Sequence, residues 1–402
     1  MKNAATSATS ATSATSATSA AAPKARPPLN SAALAFALAF AACAAPLLAH
    51  AEAPRSGIAT EQRQVAAFQA IDVSGPYKVV IKAQGKPSLQ LRGDSKELAR
   101  IETRVSGDTL IVRSAARSGF VFSFGRQHDE VTITITTAML NSLRMSGSGD
   151  VQLDQVNSDK LAVTATGPGD LTGAGAVRDL VLASSGSGDI DLHRLKTVNV
   201  NARMSGPGDV HLAGPAARLD GEVDGSGELT VDRMQAESVR IVMNGPGDVS
   251  LEGEAGALSA EVKGSGSLDA GRLNVRNATV RGRGPGDIEL ATVSGTLDAE
   301  LRGSGSLEAA MAGKTLTLTM SGPGDAHIRG TVDTVNAQLK GSGNLEAREL
   351  LAGAADVAVR GPGSATVHVK PKADAKNPAK TAMLQSAYVL RVDRQGQRQS
   401  AD

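Results

Sequence analysis

Five aspartates recur down this 402-residue chain at intervals of 38–39 residues: Asp170, Asp209, Asp248, Asp287 and Asp325. If they stack at strand spacing, about 4.8 Å apart, they repel unless cations or backbone N–H groups compensate. One chemistry for such a ladder is calcium binding. The nine-residue Gly-Gly-x-Gly-x-Asp repeat of calcium-binding rolls is absent. The simpler reading is turn capping, each carboxylate accepting from neighbouring N–H groups as in an Asx-turn. A second set is basic. Lys263, Arg302 and Lys340 occupy a position held earlier in the chain by Ser146, Ser185 and Asp224. Spaced cations on one edge suit a polyanion such as an acidic glycan. The alternative is a solvated edge whose bases discourage strand pairing.

Other chemistry finds little support. His128, His193, His211, His327 and His368 remain after the leader, and no H-x-x-x-H or Cys cluster exists. His211 and His327 share a repeat position but stand 116 residues apart, too far to share a metal. No G-x-S-x-G elbow, P-loop or dinucleotide fingerprint appears, so no catalytic residue and no cofactor are assigned. Charge is balanced, 42 basic against 41 acidic residues, and aromatics are two Tyr, six Phe and no Trp. Neither favours nucleic acid as a partner.

The elements that must position these residues are written as a repeat. Gly-x-Gly begins at Gly147, Gly167, Gly186, Gly206, Gly225, Gly245, Gly264, Gly284, Gly303, Gly322, Gly341 and Gly361, always 19 or 20 residues apart. The middle residue alternates between Ser and Pro throughout. Four residues after the first Gly the chain is apolar in all twelve repeats, from Val151 to Ala365, and two further on in eleven, Gly173 excepted. Apolar residues two apart face one side of a strand. Strands recurring at this interval stack as rungs that complete one another's core. The expectation is an all-β parallel β-helix with Gly serving the tight corner. Gly-Pro-Gly repeats carry Gly175, Gly214, Gly253 and Gly330 eight residues on. Gly-Ser-Gly repeats carry Val156, Leu195, Met234, Leu273 and Leu350 nine on. That 39-residue period slightly favours a 39-residue coil with two unlike corners over a 20-residue coil with alternating rungs.

The flanks divide the chain further. Residues 1–51 combine an Ala-Thr-Ser run, Lys24 and Arg26, an apolar stretch from Ala32 to Leu48 and Ala49-His50-Ala51, the pattern of a secretory signal. A lipobox ending at Cys43 is the minority alternative. Residues 52–145 contain strand-like runs (Tyr77–Ile81, Leu89–Leu91, Thr109–Val112, Val131–Ile135) placed to cap the first rung of a solenoid over 146–370. Residues 371–402 read as a linker and polar tail, with one covering strand over 386–394.

The stretch Phe68–Gly75, the run Ile101–Val105, the Gly-Asp-x-Leu-Ile-Val motif at 107–112 and the Ser-Gly-Ser-Gly-Asp corners resemble the auto-transporter adhesin head GIN domain family (DUF2807). The resemblance covers about 65–370. It implies a right-handed β-helix of the bacterial envelope or a secreted protein, and it brings no active-site residues. The chain departs from the pattern in its number of corners and in its alternate prolines. The expectation is an exported, non-enzymatic, adhesin-like module, whose partner would be a glycan or other envelope polyanion. A glycan-active β-helix enzyme and a self-assembling scaffold are the alternatives. No membrane span is expected once the signal is removed, and the residues after Lys370 are too few for a membrane barrel.

Overall fold

The computed structural model describes residues 57–115, 130–370, 388–392 and 398–401. The leader, Cys43, His128 and the 371–380 linker lie outside the described residues. No described helix is long and apolar enough to cross a membrane. The one helix among the described residues is a single turn, Ser95–Leu98, capped by the Asp94 carboxylate.

The body is a parallel β-helix, and its coil is one repeat long. Leu171 pairs with Val151 on one side and with Ile190 on the other. The same register continues rung by rung to Ala365. This corrects the preference for a 39-residue coil. Gly-Ser-Gly and Gly-Pro-Gly corners stack directly on each other in one column.

The 39-residue period comes instead from the opposite bend. Between the pairs Leu153–Gly173 and Val156–Gly175, the Ser rung takes three steps where the Pro rung takes two. The same happens from Val231–Leu251 to Met234–Gly253. The extra residue adopts a left-handed conformation, φ 55° at Gln155 and 54° at Arg233. The facing Gly175 and Gly253 are also at positive φ, and a side chain there would run into the Val156 or Met234 backbone. The rung beginning at Gly303 lacks the extra residue, and it pairs with the next rung without any shift.

The corner glycines serve a different need from the one expected. None of the Gly-x-Gly corner glycines from Gly147 to Gly363 has a positive φ. A Cβ on Gly167 would overlap the Gly147 carbonyl oxygen, and one on Gly169 that of Gly149. This recurs at every later corner. Rungs stack too closely here for any side chain. The second glycine's N–H donates to the carbonyl of the first glycine one rung below, as from Gly188 to Gly167 (3.4 Å). Among the described residues the middle residue donates no corner bond. Proline therefore removes nothing from the ladder at that point.

Alternating residues point inward along each strand, as the buried Val151, Leu153, Leu161, Val163 and Ala165 illustrate. The inward side chains form one continuous apolar cluster from Phe68 to Val392. Most are Val, Leu, Ile and Ala, which stack on their own kind from rung to rung. Burial of this apolar surface is the main stabilising term.

Both ends are closed. Residues 57–115 and 130–145 supply further rungs. Ala70–Ser74 and Lys78–Lys82 flank a corner at Gly75-Pro76-Tyr77 and stack under the first Gly-Ser-Gly. The Gly149 N–H donates to the Gly75 carbonyl (3.1 Å). Thr109–Ser114 and Thr132–Thr136 stack on those in turn. Antiparallel strands Ile101–Ser106, Ser88–Asp94 and Ile58–Arg63 then finish that end. At the other end Tyr388–Val392 pairs antiparallel with Ala365–Val369. Arg398–Ala401, read from sequence as polar tail, adds one more strand. These pairings cover the edges that would otherwise template association.

Candidate functional site

The corner edge carries most of the chemistry predicted from sequence. With one corner per 19–20 residues, Asp170, Asp209, Asp248, Asp287 and Asp325 lie two rungs apart. Asp150, Asp189, Glu228, Ser267, Ser306 and Asn344 fall in the same column around them. Each aspartate carboxylate is committed upward rather than to its own turn, whereas Glu228 accepts from the Thr230 hydroxyl of its own rung (3.1 Å). Asp170 Oδ1 accepts from the Asp189 N–H (2.9 Å) and Asp189 Oδ1 from the Asp209 N–H (3.0 Å). Asp209 Oδ1 accepts from the Glu228 N–H (2.8 Å) and Asp325 Oδ1 from the Asn344 N–H (2.9 Å). The side chain thus repeats the inter-rung ladder. Backbone donors are what let like charges stand at rung spacing.

The position before the first glycine forms a second column, also continuous. Lys263, Arg283, Arg302, Ser321, Lys340 and Arg360 occupy six successive rungs, each N–H bonded to the rung below at 2.7–2.8 Å. The prolyl rungs therefore contribute Arg283 and Arg360, which a 39-residue coil would place at another corner. All five cations are exposed. Those nearer the middle have acidic neighbours. Glu261 pairs with Lys263 (3.4 Å) and Arg283 (2.9 Å), and Glu300 with Arg302 and Arg281. At the end of the column Gln338 and Ala358 stand where those glutamates would be. Lys340 and Arg360 have no ion pair among the described residues.

A third group was not anticipated. Asp191 and His193 project from one strand, His211 from the next rung and Asp232 from the one after. The two imidazoles stack at 5.3 Å, 22° from parallel. Asp191 Oδ1 accepts from the His193 main chain (3.1 Å) and contacts the His193 ring nitrogen. His211 Nε2 bonds Asp232 Oδ2 (2.6 Å). Burial raises the Asp191 carboxyl. The hydrogen bonds from His193 and the charges of both imidazoles outweigh that, so it lies below the ordinary carboxylate value. A 20-residue coil contains the clue: two positions back on the next rung is a spacing of 18, which is that of His193 and His211. His327 sits elsewhere, beside Glu346 at 3.5 Å.

Among the described residues, one shallow groove is lined by Gln235, Glu254, Asn274 and Arg276 among others, and another by Thr60, Gln90, Arg92 and Thr132 among others.

Several solved structures are similar to this chain. A "putative lipid binding protein" from Parabacteroides distasonis is 18% identical, covering 69% of this chain and 98% of its own, with a TM-score of 0.37. A "putative adhesin" from Parabacteroides merdae is 13% identical over 79% and 98%, TM-score 0.32. Another from Bacteroides fragilis is 21% identical over 73% and 98%, TM-score 0.24. Among curated proteins, none matches. The family model described as "Putative auto-transporter adhesin, head GIN domain" (DUF2807) matches residues 67–233, 217–310 and 302–380. With its repeated Gly-x-Gly corners and well over half its length matched, the chain belongs to that family.

Proposed function

We propose that this chain is an exported, non-enzymatic binding module that holds a polyanion, such as an acidic glycan, along its basic corner column. The observation that carries the reading is the run of Lys263, Arg283, Arg302, Lys340 and Arg360 within six successive rungs. Neighbouring rungs are about 4.8 Å apart, so the cations form a rigid row rather than a diffuse patch. A row of fixed charges meets an extended polymer without the ordering cost of flexible arms. The carboxylates of the edge support this reading against hydrolysis. They recur along the column, and the aspartates among them are bonded to backbone, whereas a glycosidase needs one isolated pair in a cleft. The family's adhesin description agrees with a binding role.

The test uses the exported chain and two probes, heparin and polygalacturonate, with a neutral glucan as control. Binding should follow the acidic probes. It should weaken as added salt shortens the screening length from about 10 Å to about 3 Å. Joint Ala substitution of Lys263, Arg302 and Lys340 should weaken it further. Equal binding to the neutral glucan, or indifference to salt and to these substitutions, would discard the basic column. Shortened glycan products would instead establish the enzyme reading.

A further inference from the structure

We propose that Asp191, His193 and His211 form a binding site for one divalent transition-metal ion of the zinc, nickel or copper type, with Asp232 holding His211 in the ligating orientation. Nothing in the corner edge or its polyanion role requires this group.

The geometry comes first. One carboxylate oxygen and one ring nitrogen from each histidine lie within 4.8 Å of one another. His211 Nδ1 is 3.9 Å from Asp191 Oδ1. Bonds near 2.0–2.2 Å place tetrahedral donors about 3.3–3.6 Å apart, so a modest closure of these exposed side chains brings all three onto one ion. The three side chains are 36–42% exposed, so an ion reaches them from solvent and retains water on its open side.

The second argument is the tautomer. His211 Nε2 bonds Asp232 Oδ2 at 2.6 Å. A carboxylate partner fixes the proton on Nε2 and leaves the Nδ1 lone pair free, facing Asp191. This is the carboxylate–histidine–metal arrangement by which an outer carboxylate orients a ligand. The third argument is rigidity. His193 is anchored by its own N–H to Asp191 (3.1 Å), and its carbonyl accepts from Arg233 Nη2 (2.9 Å) two rungs away. Three rungs of the β-helix hold the donors in register, so little ordering is needed on binding.

The donor set also selects the ion. Two imidazoles and one carboxylate suit zinc, nickel or copper. Calcium and magnesium require a shell of oxygen ligands, and only Asp191 offers oxygen here. Among the described residues, no other group of three such donors comes this close.

The experiment is calorimetric titration of the untagged, chelator-treated chain with zinc, and separately with cobalt to read its visible absorption. One ion per chain is expected. His193→Ala and His211→Ala should each abolish the binding. Asp232→Asn should weaken it by about 10- to 100-fold, the usual effect of removing an outer partner. His327→Ala should leave it unchanged. Because an alanine variant could be poorly folded, copper is also added to the native chain. It should broaden the NMR ring signals of His193 and His211 before those of His327 or His368. Binding that survives both histidine substitutions, broadening that begins at another histidine, or calcium competing at equal concentration would overturn the site.

Discussion

The two halves of the corner edge share a backbone and oppose each other in charge. From the first Gly-Ser-Gly to Asp248 the column after the glycines is acidic without a break: Asp150, Asp170, Asp189, Asp209, Glu228 and Asp248. The column before them is neutral until Asp224. From Lys263 onward the column before the glycines turns basic. The column after them alternates Asp287 and Asp325 with Ser267, Ser306 and Asn344. The ladder does not notice. Ser185 donates to Ala165 at 2.9 Å in one half, and Lys340 to Met320 at 2.8 Å in the other. The lesson is a division of labour. Gly and the inward apolar residues hold the rungs, and the outward corner residues are free to set the surface field.

The largest expected effect tests whether the halves share their packing. A Cβ on Gly188 would meet the Gly169 carbonyl oxygen in the acidic half, and one on Gly305 that of Gly286 in the basic half. Neither neighbour is a flexible side chain that could give way. Gly188→Ala and Gly305→Ala should each destabilise by more than about 4 kcal/mol, read as loss of soluble yield and a lowered denaturation midpoint. A mild cost in one half alone would mean that the two halves are not packed alike.

A smaller effect separates cations within the basic half. Lys263 and Arg283 share Glu261, while Lys340 and Arg360 face Gln338 and Ala358. A cation already paired contributes less to a partner's field. Ala substitution of Lys340 with Arg360 should therefore weaken heparin binding about tenfold, near 1.4 kcal/mol. The same change at Lys263 with Arg283 should cost less. Equal losses would indicate that the ligand spans the whole row and displaces Glu261.

The fold could be read from sequence because the β-helix is periodic. Two inward apolar positions per corner, repeated twelve times, leave few alternatives. What the sequence hid lies in the bend, where no strong residue type marks the extra step at Gln155 and Arg233. A bulge of one residue in alternate rungs yields the same 39-residue period as a coil of twice the length. Its consequences spread outward. A coil of twice the length would part Arg283 and Arg360 from the basic column, and His193 from His211. The first corner was hidden for a different reason. Tyr77 stands where the second glycine would be, and its ring lies over Gly75, where a Cβ would meet it.

The smallest effect concerns acid, and it bears on why serine alternates with aspartate only in the basic half. Asp287 Oδ1 accepts two bonds from Ser306, from the N–H at 2.8 Å and from the hydroxyl at 2.7 Å. The backbone bond is the larger cause and the hydroxyl the second. Against a slight opposing effect of burial, they hold this carboxyl below its ordinary value. A carboxyl depressed in the folded state adds stability above its unfolded pKa, and that stability is lost as pH falls through the folded one. The contribution of Asp287 is thus present at neutral pH and fades below about pH 4. Asp287→Asn keeps an oxygen acceptor without the charge. The difference in denaturation midpoint between the native chain and this variant should shrink on acidification. A constant difference would show that the charge plays no part. Ser306→Asp rebuilds the acidic-half pattern by replacing the hydroxyl donor with a like charge one rung away. It should raise the Asp287 pKa, followed by NMR titration of its carboxyl carbon. If the pKa stays low, the main-chain N–H alone suffices, and serine's presence in that column needs a different cause.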